Sequence, residues 1–270
     1  EKGRTSIAVE SEGDRLLLDA GVKTSARGSR AYYPAISPAE LASTDAIVVT
    51  HGHEDHVAAL GWCIANGFRG RMFMTAETHG ETDRALAGYA APEDRDRVRN
   101  ANVESLPVAA AAVDGARAER GVLALGPLQI TSGRSGHIAG GVWCAVRDAQ
   151  TTFLYCGDVV PASPIFAMDA PPTCDAVALD ASYGDDDVAG SERAAQVRTW
   201  IAAQRAACVL PTPLYGRSAE LLAIIRSPIA LAPGMREALA SQGSASRGLG
   251  DGVAEMLAAR LHAAEDWRFG

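Results

Sequence analysis

The chain has 270 residues, with 25 Lys+Arg against 33 Asp+Glu and a formal charge of −8. A hydrophobic share of 47% with 21% charged residues excludes a disordered chain, and the length suits one large α/β domain or a domain with an insertion. No apolar run approaches the ~18 residues of a membrane span, and the acidic balance argues against a general nucleic-acid binder. Five scattered cysteines (63, 144, 156, 174 and 208), with no CxxC pair, argue against a disulfide framework and for a reducing, cytoplasmic setting. The opening stretch lacks the apolar centre of a signal peptide.

Residues 5–10 and 15–20 read as two strands joined by the turn at 11–14. A Gly-, Ser- and Pro-rich loop runs to Ile36. Ser37, Pro38 and Glu40 then supply the N-cap, N1 and N3 residues of a short helix. Ala46–Thr50 is a β-branched run suited to a strand buried on both faces, and it leads directly into His51-Gly-His-Glu-Asp-His56. A helix is predicted from Val57 to Asn66, ended by Gly67, then a strand at Met72–Thr75. Residues 76–100 are helix-compatible, and 102–131 alternate apolar runs with turns, as in a β-meander. Val142–Val146 and Thr151–Tyr155 form a hairpin pattern, and Cys174–Leu179 a further strand. Ser191–Ala207 reads as a helix with Ser191 at its N-cap, Val209-Leu210 starts a strand, and Arg217–Ile225 and Val253–Ala264 are helical. Gly243–Gly252 reads as a loop. The whole is an α/β layered protein.

The strongest chemical signal is His51-x-His53-x-Asp55-His56. Four potential metal ligands lie within six residues, directly after a strand. Neutral imidazole nitrogens with carboxylate oxygens suit Zn²⁺, Mn²⁺ or Fe²⁺. Alternate residues of an extended segment point the same way, so His51 and His53 can chelate one ion, while Asp55 and His56, on the start of a helix, face another direction and can hold a second. His137 sits among the glycines of Ser135-Gly-His-Ile-Ala-Gly-Gly141, where the backbone can approach an ion closely. Asp158 follows a strand in Leu154-Tyr-Cys-Gly-Asp158, where a carboxylate can bridge two cations. Asp19, closing the strand Leu16-Leu-Leu-Asp, suits an acid that orients ligands.

Asp19-Ala-Gly, the HxHxDH run, Gly136-His137 and Gly157-Asp158, in that order, resemble the metallo-β-lactamase superfamily. The resemblance implies an αββα sandwich with a dinuclear site at one edge of the two sheets. It places His51, His53 and His137 on the first metal and Asp55 and His56 on the second. Asp158 would bridge, and Asp19 would support the ligands. Gly3-Arg-Thr-Ser6, Leu179-Asp-Ala-Ser-Tyr-Gly184 and Val209–Arg217 with Ala219-Glu-Leu-Leu222 are similar to segments of the β-CASP branch, which processes RNA and DNA. Asp180 stands at that branch's acidic position, as a residue behind the ligands. On this reading residues 1–184 form the metal-binding domain and 185–270 a shortened β-CASP-like region.

That branch normally adds a downstream Ser-Gly-His to the second metal. Of the six histidines only His262 lies beyond Asp158, in a helical pattern, so it is a candidate ligand or a surface histidine. His79 in Glu77-Thr-His-Gly80 is a candidate to line the cleft or an ordinary loop residue. Two divalent ions, zinc before manganese or iron, would activate a water and neutralise charge on the substrate, with Asp55 and Asp158 the carboxylates nearest the chemistry. The first functional reading is a nuclease cutting phosphodiesters of RNA or DNA. The alternative is a small-molecule hydrolase acting on a thioester, lactone or small phosphodiester. A non-catalytic subunit is a third reading, disfavoured by the complete ligand motif. A homo-oligomer is compatible with the sequence.

Overall fold

The computed structural model describes residues 3–108, 121–182, 184–244, 249–250 and 252–267. They form two compact units. The first comprises residues up to Arg134 with Gly140–Asp158 and Asp169–Ser182; the second comprises Ser135–Ala139, Val159–Met168 and Tyr183 onward.

The first unit opens with a hairpin, β1 (Ile7–Ser11) and β2 (Asp14–Leu18). Both turn residues, Glu12 and Gly13, have positive φ, the two-residue turn whose twist matches the flanking strands. Helix α1 (Pro38–Ala42) carries the expected capping box between Ser37 and Glu40. Strands β3 (Ala46–Val48), β4 (Arg71–Met74) and β5 (Val103–Ser105) then add in parallel, giving a five-stranded sheet in the order β1-β2-β3-β4-β5. The crossovers between these strands carry α2 (Glu54–Val57), α3 (Leu60–Ala65), α4 (Ala76–Tyr89) and α5 (Pro92–Arg99).

The second sheet of this unit runs β10-β9-β8-β7-β6. Strands β6 (Val122–Leu125), β7 (Leu128–Arg134), β8 (Val142–Arg147) and β9 (Thr152–Tyr155) form an antiparallel meander, and β10 (Ala176–Ala178) joins β9 in parallel. One buried cluster joins the two sheets, with Leu16, Leu18, Val48 and Phe73 from the first meeting Leu128, Ile130, Val142, Cys144 and Val146 from the second. A second cluster lies on the other face of the first sheet, where Leu17, Ile47, Val49, Met72 and Met74 pack against Leu41, Leu60, Cys63, Leu86 and Val98 of the helices. Alternation along β2, β3 and β4 thus feeds two cores, which is why these strands read as continuous apolar runs. A helical layer and two stacked sheets belong to this unit.

The second unit holds α6 (Gly190–Ala202), α7 (Arg217–Ile224), α8 (Met235–Ser244) and α9 (Val253–Ala263), with a two-stranded parallel pair, β11 (Ala230–Leu231) and β12 (Glu265–Asp266). Its core gathers Ile165, Phe166, Ala219, Leu222, Leu239, Leu257 and Leu261.

Several local expectations are corrected. The helix predicted at 57–66 begins at Glu54 and is broken after Val57, because Ala20 N–H takes the His56 carbonyl and Ala59 N–H turns to the Ala20 carbonyl. Val103–Ser105 belongs to the parallel sheet rather than to a meander, and 109–120 lie outside the described residues. Helix α6 starts at Gly190 without a side-chain cap and ends at Ala202; Asp186, which accepts from Val188 N–H and pairs with Arg193, organises its start in place of Ser191. Val209-Leu210 is not a strand, and Val209 is exposed. Residues 243–244 end α8, a helix the sequence reading did not separate from the loop; 245–248 and 251 lie outside the described residues. Among the described residues no helix is long and apolar enough to cross a membrane.

Candidate metal centre

The HxHxDH segment is held by the strand end that precedes it in the chain. After β2 the backbone passes through Asp19, whose φ is +62°, and runs as Asp19-Ala20-Gly21 alongside the ligand loop. Ala20 N–H donates to the His56 carbonyl at 2.8 Å, and Val22 N–H to the Glu54 carbonyl at 3.1 Å. A Cβ on Gly21 would lie 1.6 Å from the Asp55 carbonyl oxygen, so only glycine fits. The Asp-Ala-Gly motif is therefore a backbone splint for α2.

The Asp19 carboxylate is fully buried. Its Oδ1 accepts from Thr50 N–H at 2.7 Å. Its Oδ2 accepts from the Thr50 hydroxyl at 2.8 Å, from the Tyr155 hydroxyl at 2.6 Å and from His56 Nδ1 at 2.8 Å. These bonds overdetermine a left-handed conformation that a non-glycine residue seldom adopts. They also set tautomers. With Nδ1–H given to Asp19, His56 presents Nε2. The Thr50 hydroxyl gives its one proton to Asp19, so it accepts from His51 Nδ1, 3.1 Å away, and His51 likewise presents Nε2.

The presented atoms converge. One ligand atom from each of His51, His53, His137 and Asp158 lies within 4.8 Å of the others. His51 Nε2 and His53 Nδ1 are 3.2 Å apart, close to the ~3.3 Å edge of a tetrahedron with metal–nitrogen bonds of about 2.0–2.1 Å. Asp158 Oδ2 is 3.9 Å from His51 Nε2, while its Oδ1 is 3.4 Å from His56 Nε2. Asp55 Oδ2 is 3.9 Å from His56 Nε2. The two Asp158 oxygens thus face different histidines. Gly157 (φ +56°) lets the preceding backbone pass Thr50, whose Oγ1 would be 2.9 Å from a Cβ, and Gly136 (φ +72°) packs on the Val160 carbonyl.

Burial pushes the His53 imidazole below its ordinary pKa. Burial acts the same way on His56, but the carboxylates of Asp19, Asp158 and Asp55 outweigh it and hold His56 well above. The Tyr155 hydroxyl is pushed far up by burial and by Asp19, so it stays a donor.

The remaining sequence candidates lie elsewhere in their own elements. His79 is exposed on α4 and His262 is exposed on the last turn of α9; neither joins the gathered ligand atoms. Asp180 is also exposed, and its carboxylate accepts from the backbone and hydroxyl of Ser182 rather than standing behind a ligand. Sequence reasoning missed Thr50, Tyr155 and Glu81. Thr50 directly precedes His51, and Tyr155 is a hydroxyl inside an apolar strand that needs a partner. Glu81, on α4, is buried with Oε2 unpaired, against Gly52 between His51 and His53.

Comparisons with known proteins agree with this geometry. Residues 2–187 match the family model described as the metallo-beta-lactamase superfamily. Cleavage and polyadenylation specificity factor 73 of Drosophila melanogaster is 26% identical over 242 residues, covering 83% of this chain and 34% of that protein. A ribonuclease of Thermus thermophilus is 29% identical over 185 residues (64% and 39%), and transcription termination factor FttA of Methanothermobacter thermautotrophicus is 26% identical over 249 residues (85% and 38%). The chain thus spans between a third and two fifths of the length of these relatives, which belong to the β-CASP branch that the sequence resembles. An imidazole and carboxylate donor set of this kind binds divalent metal. With two thirds of its length matched and the motif glycines explained by close contacts around that donor set, the chain belongs to the metallo-beta-lactamase superfamily.

Proposed function

We propose that the protein is a metal-dependent nuclease that hydrolyses phosphodiester bonds of RNA or DNA. In this reading two divalent ions would occupy the centre, zinc before manganese or iron. His51, His53 and His137 would hold one, Asp55 and His56 would hold the other, and Asp158 would be a further ligand. Residues 1–184 act as the metal-binding domain and 185–270 as a shortened β-CASP-like region. The observation that carries the proposal is the convergence of His51, His53, His137 and Asp158 within 4.8 Å, with His56 Nε2 3.4 Å from the second Asp158 oxygen. The names of the relatives, a ribonuclease among them, favour a nucleic acid over a small molecule.

Bound divalent metal supplies Lewis acidity and brings the pKa of a water towards neutrality. The chain's own residues do the rest. Asp19 and Thr50 keep His51 and His56 in the tautomers that leave Nε2 available. Tyr155 neutralises part of the buried Asp19 charge by donating to it. The Asp158 and Asp55 side chains are partly exposed, at 27% and 21%, so either can accept the proton released as water adds to phosphorus and return it to the ester oxygen as its bond to phosphorus breaks.

The test is cleavage of end-labelled single-stranded RNA and DNA in Zn²⁺ or Mn²⁺, beside the His51→Ala variant. Cutting by the parent and not by the variant is expected. A parent that holds metal and leaves both polymers intact would overturn the nuclease reading.

A further inference from the structure

We infer that the loop from Lys23 to Tyr33, with Arg4 and Trp62, is the track that guides a single nucleic-acid strand to the ligand loop. This rests on the nuclease reading and deepens it. From Ala20 to Ala39 the chain carries Lys23, Arg27 and Arg30 and no acid, in a protein of charge −8. Arg27 and Arg30 are exposed, and Lys23 and Arg4 half-buried. Arg27 is steadied by a bond from Nη2 to the Gly88 carbonyl.

Backbone contacts tie these cations to the candidate centre. Thr5 N–H donates to the Asp55 carbonyl at 3.0 Å, Gly21 N–H to the Thr5 carbonyl at 3.0 Å, and Val22 N–H to the Glu54 carbonyl at 3.1 Å. Arg4 and Lys23 are each one residue from those anchors, and Gly3 packs on the Lys23 backbone. Lys23 N–H donates to the Tyr32 carbonyl, so the loop closes at its base, where Tyr32 and Tyr33 adjoin Lys23. The half-buried rings of Tyr33 and Trp62 stack at 5.0 Å with 8° between planes, and Tyr32 meets Tyr33 edge-on. Tyr32 is pinned by its hydroxyl bond to the Tyr89 carbonyl.

Cations on one short loop beside a stacked aromatic pair are what a strand needs, with phosphates on the charges and a base against a ring. A duplex, with its bases already stacked, would use only the charges. Acids do face the aromatics. Half-buried Glu54 lies near Tyr32, and Asp94, buried and paired with Arg97, lies near Tyr33.

The experiment measures anisotropy of a short, fluorescein-labelled oligothymidylate with phosphorothioate linkages, which resists cutting, on the metal-loaded protein across a salt series. Arg27→Ala/Arg30→Ala removes two phosphate contacts. The salt slope should flatten by about 1.4, which at 0.1 M salt is about a 25-fold weaker Kd. Tyr33→Leu should weaken binding about five-fold or more with the slope unchanged. The exposed pair Arg205→Ala/Arg226→Ala changes net charge equally and should cost far less. Equal losses for the two arginine pairs overturn the track in favour of a general field. A parent that cuts RNA or DNA with an unaffected loop variant also overturns the track, and leaves the nuclease reading standing. A parent that neither binds nor cuts removes both. Retention of phosphatidylserine vesicles in place of the oligonucleotide overturns it in favour of a membrane surface.

Discussion

Replacing Glu81 by Gln should change how stability depends on pH. Glu81 is 7% exposed, and Oε2 finds no donor. Burial, with a smaller push from Glu77, raises its pKa from 4.5 to about 8. Between those values the folded protein keeps a proton that the unfolded chain releases. Unfolding then sets a proton free, so stability falls as pH rises, by about 1.4 kcal/mol per unit, and the loss is complete once pH passes about 8. From pH 5.5 to 7.5 the group therefore costs roughly 3 kcal/mol, an upper figure for a site that can relax. A glutamine side chain there has a similar shape and no proton to lose. The assay is urea unfolding of both proteins at pH 5.5 and 7.5 with a chelator present, because metal affinity has its own pH dependence. The histidines are common to both and cancel in the difference. The variant should gain on the parent by roughly 3 kcal/mol over that interval. Parallel pH profiles would show that the carboxyl is not kept protonated, and the burial argument would fall.

Other substitutions probe the splint and the ligands. Gly21→Ala places a methyl 1.6 Å from the Asp55 carbonyl and should cost about 3 kcal/mol with reduced metal content, measured by chemical unfolding and atomic absorption; full metal content would refute the splint. Asp19→Asn should lower metal affinity by about 10- to 100-fold, and Thr50→Val should do so while sparing the His56 side of the site, as read by competitive chelator titration. His56, held protonated by Asp19 and Asp158 above its ordinary range, must give up its proton to bind metal at Nε2. Metal uptake at pH 6.5 should therefore release protons, seen as a buffer-dependent heat in calorimetry, and affinity should fall as pH drops.

Much of this was legible in the sequence because local chemistry decides it. The Ser37–Glu40 box, the Glu12-Gly13 turn and the buried run at 46–48 each follow from residues a few positions apart. The four metal motifs carry their own reasons, since glycines at 21, 136 and 157 meet backbone or side-chain atoms at distances no Cβ tolerates. What stayed hidden depends on contacts far along the chain. The break in the 54–65 helix is made by Ala20, thirty-nine residues before Ala59, whose N–H it accepts. Tyr155 reaches Asp19 across 136 residues. Asp186 displaces Ser191 as the organiser of α6 through an ion pair with Arg193 that the helix pattern does not encode. Glu81 reads as one more charge on a polar helix until α4 is laid against Gly52.

The network behind the ligands has one further consequence. Asp19 Oδ2 serves the Thr50 hydroxyl, Tyr155 and His56 together, and Thr50 in turn serves His51. One carboxylate therefore fixes the tautomers of two histidines whose Nε2 atoms face opposite oxygens of Asp158. A carboxylate can accept at several lone pairs at once, whereas an amide would turn a donor towards donors and leave at least one of them unpaired. The aspartate at the end of β2 is thus required by the count of protons around it, and a left-handed backbone at a non-glycine residue is tolerated because those bonds outweigh the roughly 1–2 kcal/mol it costs. Because both histidines depend on it, His51 and His56 cannot be disordered independently through Asp19, while the Thr50 hydroxyl contacts His51 and not His56.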